Sequence, residues 1–175
     1  MHIYIKPNTY IFLTILLFTI PLNWISSWII AILFHELCHY IAVKFCRGKI
    51  YSIKIGLLGA EMQCGNISDA CQVIAVLCGP IGGLLLTCFG QCFPRLALCS
   101  FFLSVYNLIP LLPLDGGRVL YILFGNRKWF QYFEKFLLVV LLFGALFSSY
   151  FLKLGLLPIV IVAILYLKYR KIPCK

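Results

Sequence analysis

ISSWIIAILFHELCHYIAVKF, residues 25–45, is an apolar run whose centre holds His35-Glu36-Leu37-Cys38-His39. A helix rises about 1.5 Å per residue and needs about 20 apolar residues to cross the hydrocarbon of a bilayer, so this run can span. Trp24 and Trp28 stand near its start, where indole rings anchor a span at the interface. Histidines four apart lie on one helical face, about 40° from each other, so both imidazoles reach one metal ion. Glu36 sits beside them, where it can take a proton from a water polarised by that metal. A carboxylate at mid-helix depth costs about 2.5–3.5 kcal/mol on insertion scales, so ionisable residues inside a span read as functional.

The rest of the chain agrees with a bilayer setting. Of 175 residues, 63% are hydrophobic and 11% charged, and the mean hydropathy is +1.02. Soluble domains run at roughly 45–50% apolar and about 25% charged, so a soluble globule is excluded. Disorder is excluded by the same figures. The net charge of +10 does not indicate nucleic acid: the longest basic cluster, Lys168, Arg170 and Lys171, directly follows an apolar run, as a membrane flank does. The nine cysteines are odd in number and form no CxxC pair, which argues against a disulfide framework or a Cys-rich zinc module.

Apolar segments at 10–23, 25–45, 71–93, 97–114, 135–152 and 154–168 predict an all-α polytopic membrane protein of about six transmembrane helices. The first is short and follows Lys6 like a signal peptide, but no small-residue cleavage site follows it, and it reads as a retained span. With the N-terminus in the cytoplasm, the inner segments hold Lys6; Lys44, Arg47, Lys49 and Lys54; Arg118, Arg127, Lys128 and Lys135; and Lys168, Arg170, Lys171 and Lys175. Only Arg95 and Lys153 fall outside. Lys and Arg are retained on the cytoplasmic side, so both termini and the active site are expected to face the cytoplasm of a bacterial cell. Residues 46–70 are too polar to span, and Ile50 to Ile55 alternate loosely, which predicts a small β-hairpin-like loop, cytoplasmic or re-entrant. No repeat divides the chain, so 1–175 reads as a single domain with its core at about 30–120. The seven residues after the last span leave no room for a regulatory domain.

A catalytic zinc takes three protein ligands and keeps a fourth position for water. Glu61 and Asp69 lie in the polar loop, and Glu134 flanks a span among basic residues. Asp115 ends the fourth segment in Asn107-Leu108-Ile109-Pro110-Leu111-Leu112-Pro113-Leu114-Asp115-Gly116-Gly117-Arg118. The bland reading is an interfacial helix stop with Asp-Gly-Gly as a turn. Topology favours a ligand, because the second and fourth spans run the same way and bring Asp115 to the depth of the histidines. Pro110 and Pro113 break the fourth helix and free carbonyls around Tyr106 and Ile109. Broken backbone at that depth is tolerated only in protein or beside a water-filled cavity. Asp115 is therefore the expected third ligand.

The pairing of a membrane-embedded HExxH with N-x-x-P-x-x-P-L-D-G resembles the site-2 protease family of intramembrane zinc metalloproteases. The resemblance runs from about residue 30 to 120, and the Tyr106-to-Arg118 motif is most similar to the stage IV sporulation protein FB branch. It implies one zinc per chain on His35, His39 and Asp115, with Glu36 as the catalytic acid and base. It also implies a role for Asn107 near the substrate backbone, with Pro110 and Pro113 of the same motif counted as substrate-binding positions. Gly79-Pro80-Ile81-Gly82-Gly83 resembles the small-residue patch of the family's third span, and small residues independently let helices approach closely. Two departures stand out. Cys38 replaces the family's usual Gly and points about 100° from His39, which favours packing over a fourth ligand. The C-terminal CBS domain common in the sporulation branch has no counterpart here.

The expected activity is a zinc endopeptidase performing regulated intramembrane proteolysis. Its expected partners are the lipid bilayer, a membrane-associated protein substrate such as a sporulation sigma-factor precursor or an anti-sigma factor, and an inhibitory or regulatory membrane protein. Nucleic acid is not expected. The glycine-punctuated stretch 50–65 either offers an edge strand to an extended substrate or is a plain connector. The rival class is a metal or proton transporter using the same buried His, Glu and Asp, against which stands the absence of a repeat.

Overall fold

A computed structural model describes residues 2–5, 21–56, 59–65, 67–125, 128–151, 162–163 and 165–166. The chain forms two compact units, Met1–Leu108 and Ile109–Lys175.

The first unit is built on helix α1, Leu22–Phe45. Its 24 residues reach about 36 Å. The Pro21 carbonyl accepts its first N–H groups, from Trp24 and Ile25, and the hydroxyls of Ser26 and Ser27 return to the Asn23 carbonyl. Its buried positions are Ile25, Ala31, His35, Ala42 and Val43, while Ile29, Ile30, Leu33, Leu37, Ile41 and Phe45 are exposed. Small side chains inside and large apolar ones outside invert the soluble pattern. Lipid rewards this arrangement, because helices there gain by close approach and large apolar groups lose nothing by facing the bilayer.

The helix ends as a Schellman turn, with Gly48 N–H bonded to the Val43 carbonyl and Arg47 N–H to that of Lys44. Arg47 takes the left-handed position (φ 55°) usually given to glycine. Gly48 follows because a Cβ there would meet Ile67 and Val43. This turn leads into strands β2, Lys49–Gly56, and β3, Gly59–Gly65, which pair antiparallel with a register shift between Ile50 and Ser52. The expected hairpin is thus present. It gains a neighbour that hydropathy does not predict: β1, His2–Ile5, pairs parallel with β2. The sheet order β1-β2-β3 leaves β3 as an edge.

Helix α2, Asp69–Leu86, starts at the Ser68 cap, whose hydroxyl accepts from Cys71 N–H, and continues as a 3-10 turn, Thr87–Phe89. Helix α3, Pro94–Asn107, opens on a proline, which loses nothing at a first-turn position where the N–H has no helical partner. The helices α1, α2 and α3 pack on one another. Near the hairpin, Ala42, Val43 and Ala75 form a small core with Ile50, Ile67 and Cys78 packed against it.

In the second unit an irregular stretch, 109–114, leads into α4, Asp115–Phe124, which Gly125 closes with a positive φ of 65°. Helix α5, Lys128–Phe151, follows. Its buried Phe130, Glu134 and Leu138 recur every fourth residue, and Ala145 continues the stripe.

Among the described residues, three helices are long and apolar enough to cross a membrane: Leu22–Phe45, Asp69–Phe89 and Trp129–Phe147. Six spans are therefore not shown. Most of 154–168 and most of 10–23 lie outside the described residues. The expected span 97–114 is corrected: its helix stops at Asn107, after 14 residues, about 21 Å, which is short of the hydrocarbon thickness. Pro110 has no N–H to continue the ladder and disfavours helical geometry at Ile109. Asp115 does not end a span either: with Gly116 and Gly117 it forms the first turn of α4, so the alternative of an Asp-Gly-Gly turn does not hold.

Candidate metal centre

One turn of α1 separates His35 from His39, and their Nε2 atoms stand 3.1 Å apart with the rings edge to face. His35 is 3% exposed. His39 Nδ1 lies 2.8 Å from the Ala75 carbonyl on α2. A carbonyl can only accept, so Nδ1 carries the proton and the Nε2 lone pair is directed at His35. This is the outer hydrogen bond that orients a metal-binding imidazole and sets its tautomer. Two nitrogens about 2.0–2.1 Å from a tetrahedral zinc stand about 3.3 Å apart, so the pair fits a shared ion.

The close approach depends on the glycines of α2. A Cβ at Gly79 would fall on the imidazole of His39, and one at Gly82 on Cys38 Sγ. Cys38 therefore fills the α1–α2 contact, as the helical phase predicts. At Gly83 a Cβ would meet Ser104 Oγ of α3, and the Gly83 carbonyl accepts from Ser100 Oγ at 2.9 Å. Ser104 Oγ is fully buried and has no hydrogen-bond partner among the described residues. Sequence reasoning passed over both serines. Their signal is two small polar residues four apart on a helix that faces a glycine-rich one.

Glu36 is partly buried on the same turn of α1 as His35. Asn107 is the last residue of α3, and Pro110 and Pro113 lie in the irregular stretch after it. Asp115, 6% exposed, is the first residue of α4. Arg118 Nη1 stands 3.8 Å from its Oδ1. Gly117, two residues on, lets the backbone of Leu111 and Leu112 lie directly against the first turn, where any Cβ would collide with it. His35, His39 and Asp115 are the candidate metal ligands. Two imidazoles and a carboxylate are a donor set that suits zinc.

Glu134 is a correction. Rather than flanking a span among basic residues, it lies within α5, is 2% exposed, and accepts from Leu112 N–H through Oε1 at 3.0 Å. Its basic neighbours in sequence, Lys128 and Lys135, do not reveal this, because burial is decided by helical phase.

Residues 65–148 match the model of peptidase family M50, metallopeptidases that hydrolyse peptide bonds. The matched stretch includes Asp115 and its prolines and begins after His39. The fold is similar to that of a solved site-2 protease from Methanocaldococcus jannaschii, with a TM-score of 0.67 and 21% identity. That likeness covers 97% of this chain and 89% of the other. No curated protein matches the chain.

Proposed function

We propose that this chain, whose residues 65–148 match the model of peptidase family M50, is a member of that family and an intramembrane zinc endopeptidase that cuts a membrane-associated protein within or beside the bilayer. The observation that carries the reading is the His35–His39 pair, with Nε2 atoms 3.1 Å apart on a helix long and apolar enough to span. In this reading His35 and His39, with Asp115, hold one zinc, and residues 1–175 act as one catalytic domain. Zinc bound there supplies a Lewis acid that polarises the scissile carbonyl and acidifies water. Glu36 accepts the proton of the attacking water and returns it to the leaving amine nitrogen. His39 keeps its orientation through the proton it donates to Ala75.

A helical substrate must unwind before its carbonyl is accessible. The edge of β3 suits the extended peptide that results, since an open strand offers unpaired N–H and C=O groups. Asn107, Pro110 and Pro113 are read as substrate-facing positions beside the scissile bond. The finer assignment, to the stage IV sporulation protein FB branch with a sigma-factor precursor or anti-sigma factor as substrate, rests on the Tyr106-to-Arg118 motif alone. An orientation that keeps 13 of the 15 Lys and Arg residues on the cytoplasmic side completes the reading.

Purified protein is expected to hold one zinc by elemental analysis. Glu36→Gln should keep that zinc and lower cleavage by about 10²–10⁴-fold, the range of general acid–base catalysis. Wild-type cleavage by this variant would sink the mechanism, and Asp115→Asn with unchanged zinc affinity would sink that ligand alone. Precursors that accumulate in cells expressing Glu36→Gln identify the substrate, and a sporulation regulator among them supports the finer branch.

A further inference from the structure

Glu134 is a buried carboxylate inside the candidate span Trp129–Phe147, and the proposed chemistry makes no use of it. Ionisable groups in such places are retained for a purpose, because hydrocarbon penalises them. What it binds is specific. Pro110 and Pro113 have no N–H, so the stretch between them and Asp115 has only three donors. Leu111 N–H bonds locally to the Ile109 carbonyl at 2.8 Å, and Leu114 N–H to that of Leu111 at 2.9 Å. The middle donor, Leu112 N–H, leaves the stretch and is fastened to Glu134 Oε1 at 3.0 Å. The Leu111–Leu112 backbone also lies against Gly117 in the first turn of α4. Three residues before Asp115, the chain is therefore clamped between a carboxylate on α5 and the helix that Asp115 itself begins.

We infer that Glu134 is a positioning residue for Asp115: by holding Leu112 N–H it sets where α4 starts and so where the Asp115 carboxylate stands. The inference rests on Asp115 being a zinc ligand. Acceptor reach, rather than negative charge, is the property that matters, because the partner is a backbone amide.

The test uses the full chain in detergent or nanodiscs, with zinc affinity read by chelator competition and amide exchange read on the metal-free protein. Glu134→Ala should speed exchange at 111–114 while leaving α1, α2 and α3 unchanged. It should also weaken zinc by about 10–100-fold, the range for losing a partner that orients a ligand. Glu134→Gln keeps an acceptor at the same reach and should stay within about threefold of wild type. Glu134→Asp, one methylene shorter, should bind zinc more weakly than Glu134→Gln. Wild-type zinc affinity in Glu134→Ala, or Glu134→Asp outperforming Glu134→Gln, overturns the inference. If Glu134→Ala does not fold, the Gln and Asp variants decide it by themselves. His39→Ala separates the two levels. If it binds zinc like wild type, the metal centre itself is wrong, and the exchange data still decide whether Glu134 clamps Leu112. If it loses zinc while Glu134→Ala does not, only the positioning role fails.

Discussion

The first unit presents its two imidazoles from the middle of a regular helix, whereas the second presents its carboxylate from the end of an irregular stretch. On α1 the relation of His35 to His39 follows from 3.6 residues per turn, and any helix would bring them to one face. What the neighbouring helix contributes there is space, through Gly79, and one carbonyl, Ala75, that fixes the tautomer. Around Asp115 no periodicity sets the geometry. The backbone of 109–114 is broken by two prolines, and its place is held by close contact with Gly117 and by the bond to Glu134. A side chain presented from a helix needs room, and one presented after a broken helix needs tethers. Substitutions that add volume should therefore injure both regions, and loss of a single hydrogen bond should injure mainly the second.

The largest effect is expected at Gly117. Gly117→Ala places a methyl against the backbone of Leu111 and Leu112, which cannot rotate away as a side chain can. A destabilisation of about 3 kcal/mol, the upper range for overpacking, should appear as a lower thermal midpoint of the purified protein, with faster exchange in 109–124. Wild-type stability would break the claim that this segment is clamped. Next comes Gly79→Ala, which meets a side chain instead. The imidazole of His39 can retreat only by giving up its bond to Ala75, so zinc affinity should fall about 10–100-fold by chelator competition, while stability falls by about 1–3 kcal/mol. An unchanged zinc affinity would show that the tautomer-setting bond is dispensable.

The smallest effects sharpen the comparison at the α2–α3 contact. Ser100→Ala removes the donor to the Gly83 carbonyl and should cost about 1 kcal/mol. Ser104→Ala deletes a buried hydroxyl that has no partner among the described residues and should be neutral or slightly stabilising. Denaturant-induced unfolding of the two variants in parallel tests this ordering. Equal losses would mean that the two hydroxyls are bonded alike.

Much of this was legible in the residues. The run at 25–45 became α1, the run at 71–93 became α2 with its 3-10 extension, and the loose alternation near Ile50 became the β2–β3 hairpin. These features depend on local hydropathy and period, which a sequence records directly. The fifth segment began earlier than hydropathy suggests, at Lys128 rather than 135, because Lys and Gln side chains do not prevent a helix from extending past its apolar window. The end of α3 at Asn107 was only half visible. Prolines at 110 and 113 announce a break, but whether Asp115 ends one helix or starts another depends on where the chain goes next. Ser100 was passed over, and Glu134 was read as a span flank, because each acts on a residue distant in sequence.

By itself the sequence determined a membrane setting, from its surplus of apolar residues and its few charges, and a candidate metal-binding face, from two histidines one helical turn apart. Both follow from short-range regularities that hold wherever the helix is placed. Only the tertiary structure decided which carbonyl holds His39, which glycine leaves it room, and that a buried Glu134 fastens the strand of backbone leading to Asp115. Those are contacts between residues distant in sequence, 22 positions apart for Glu134 with Leu112 and 36 for His39 with Ala75. At such separations the partner is chosen by packing, and no spacing rule along the chain encodes it.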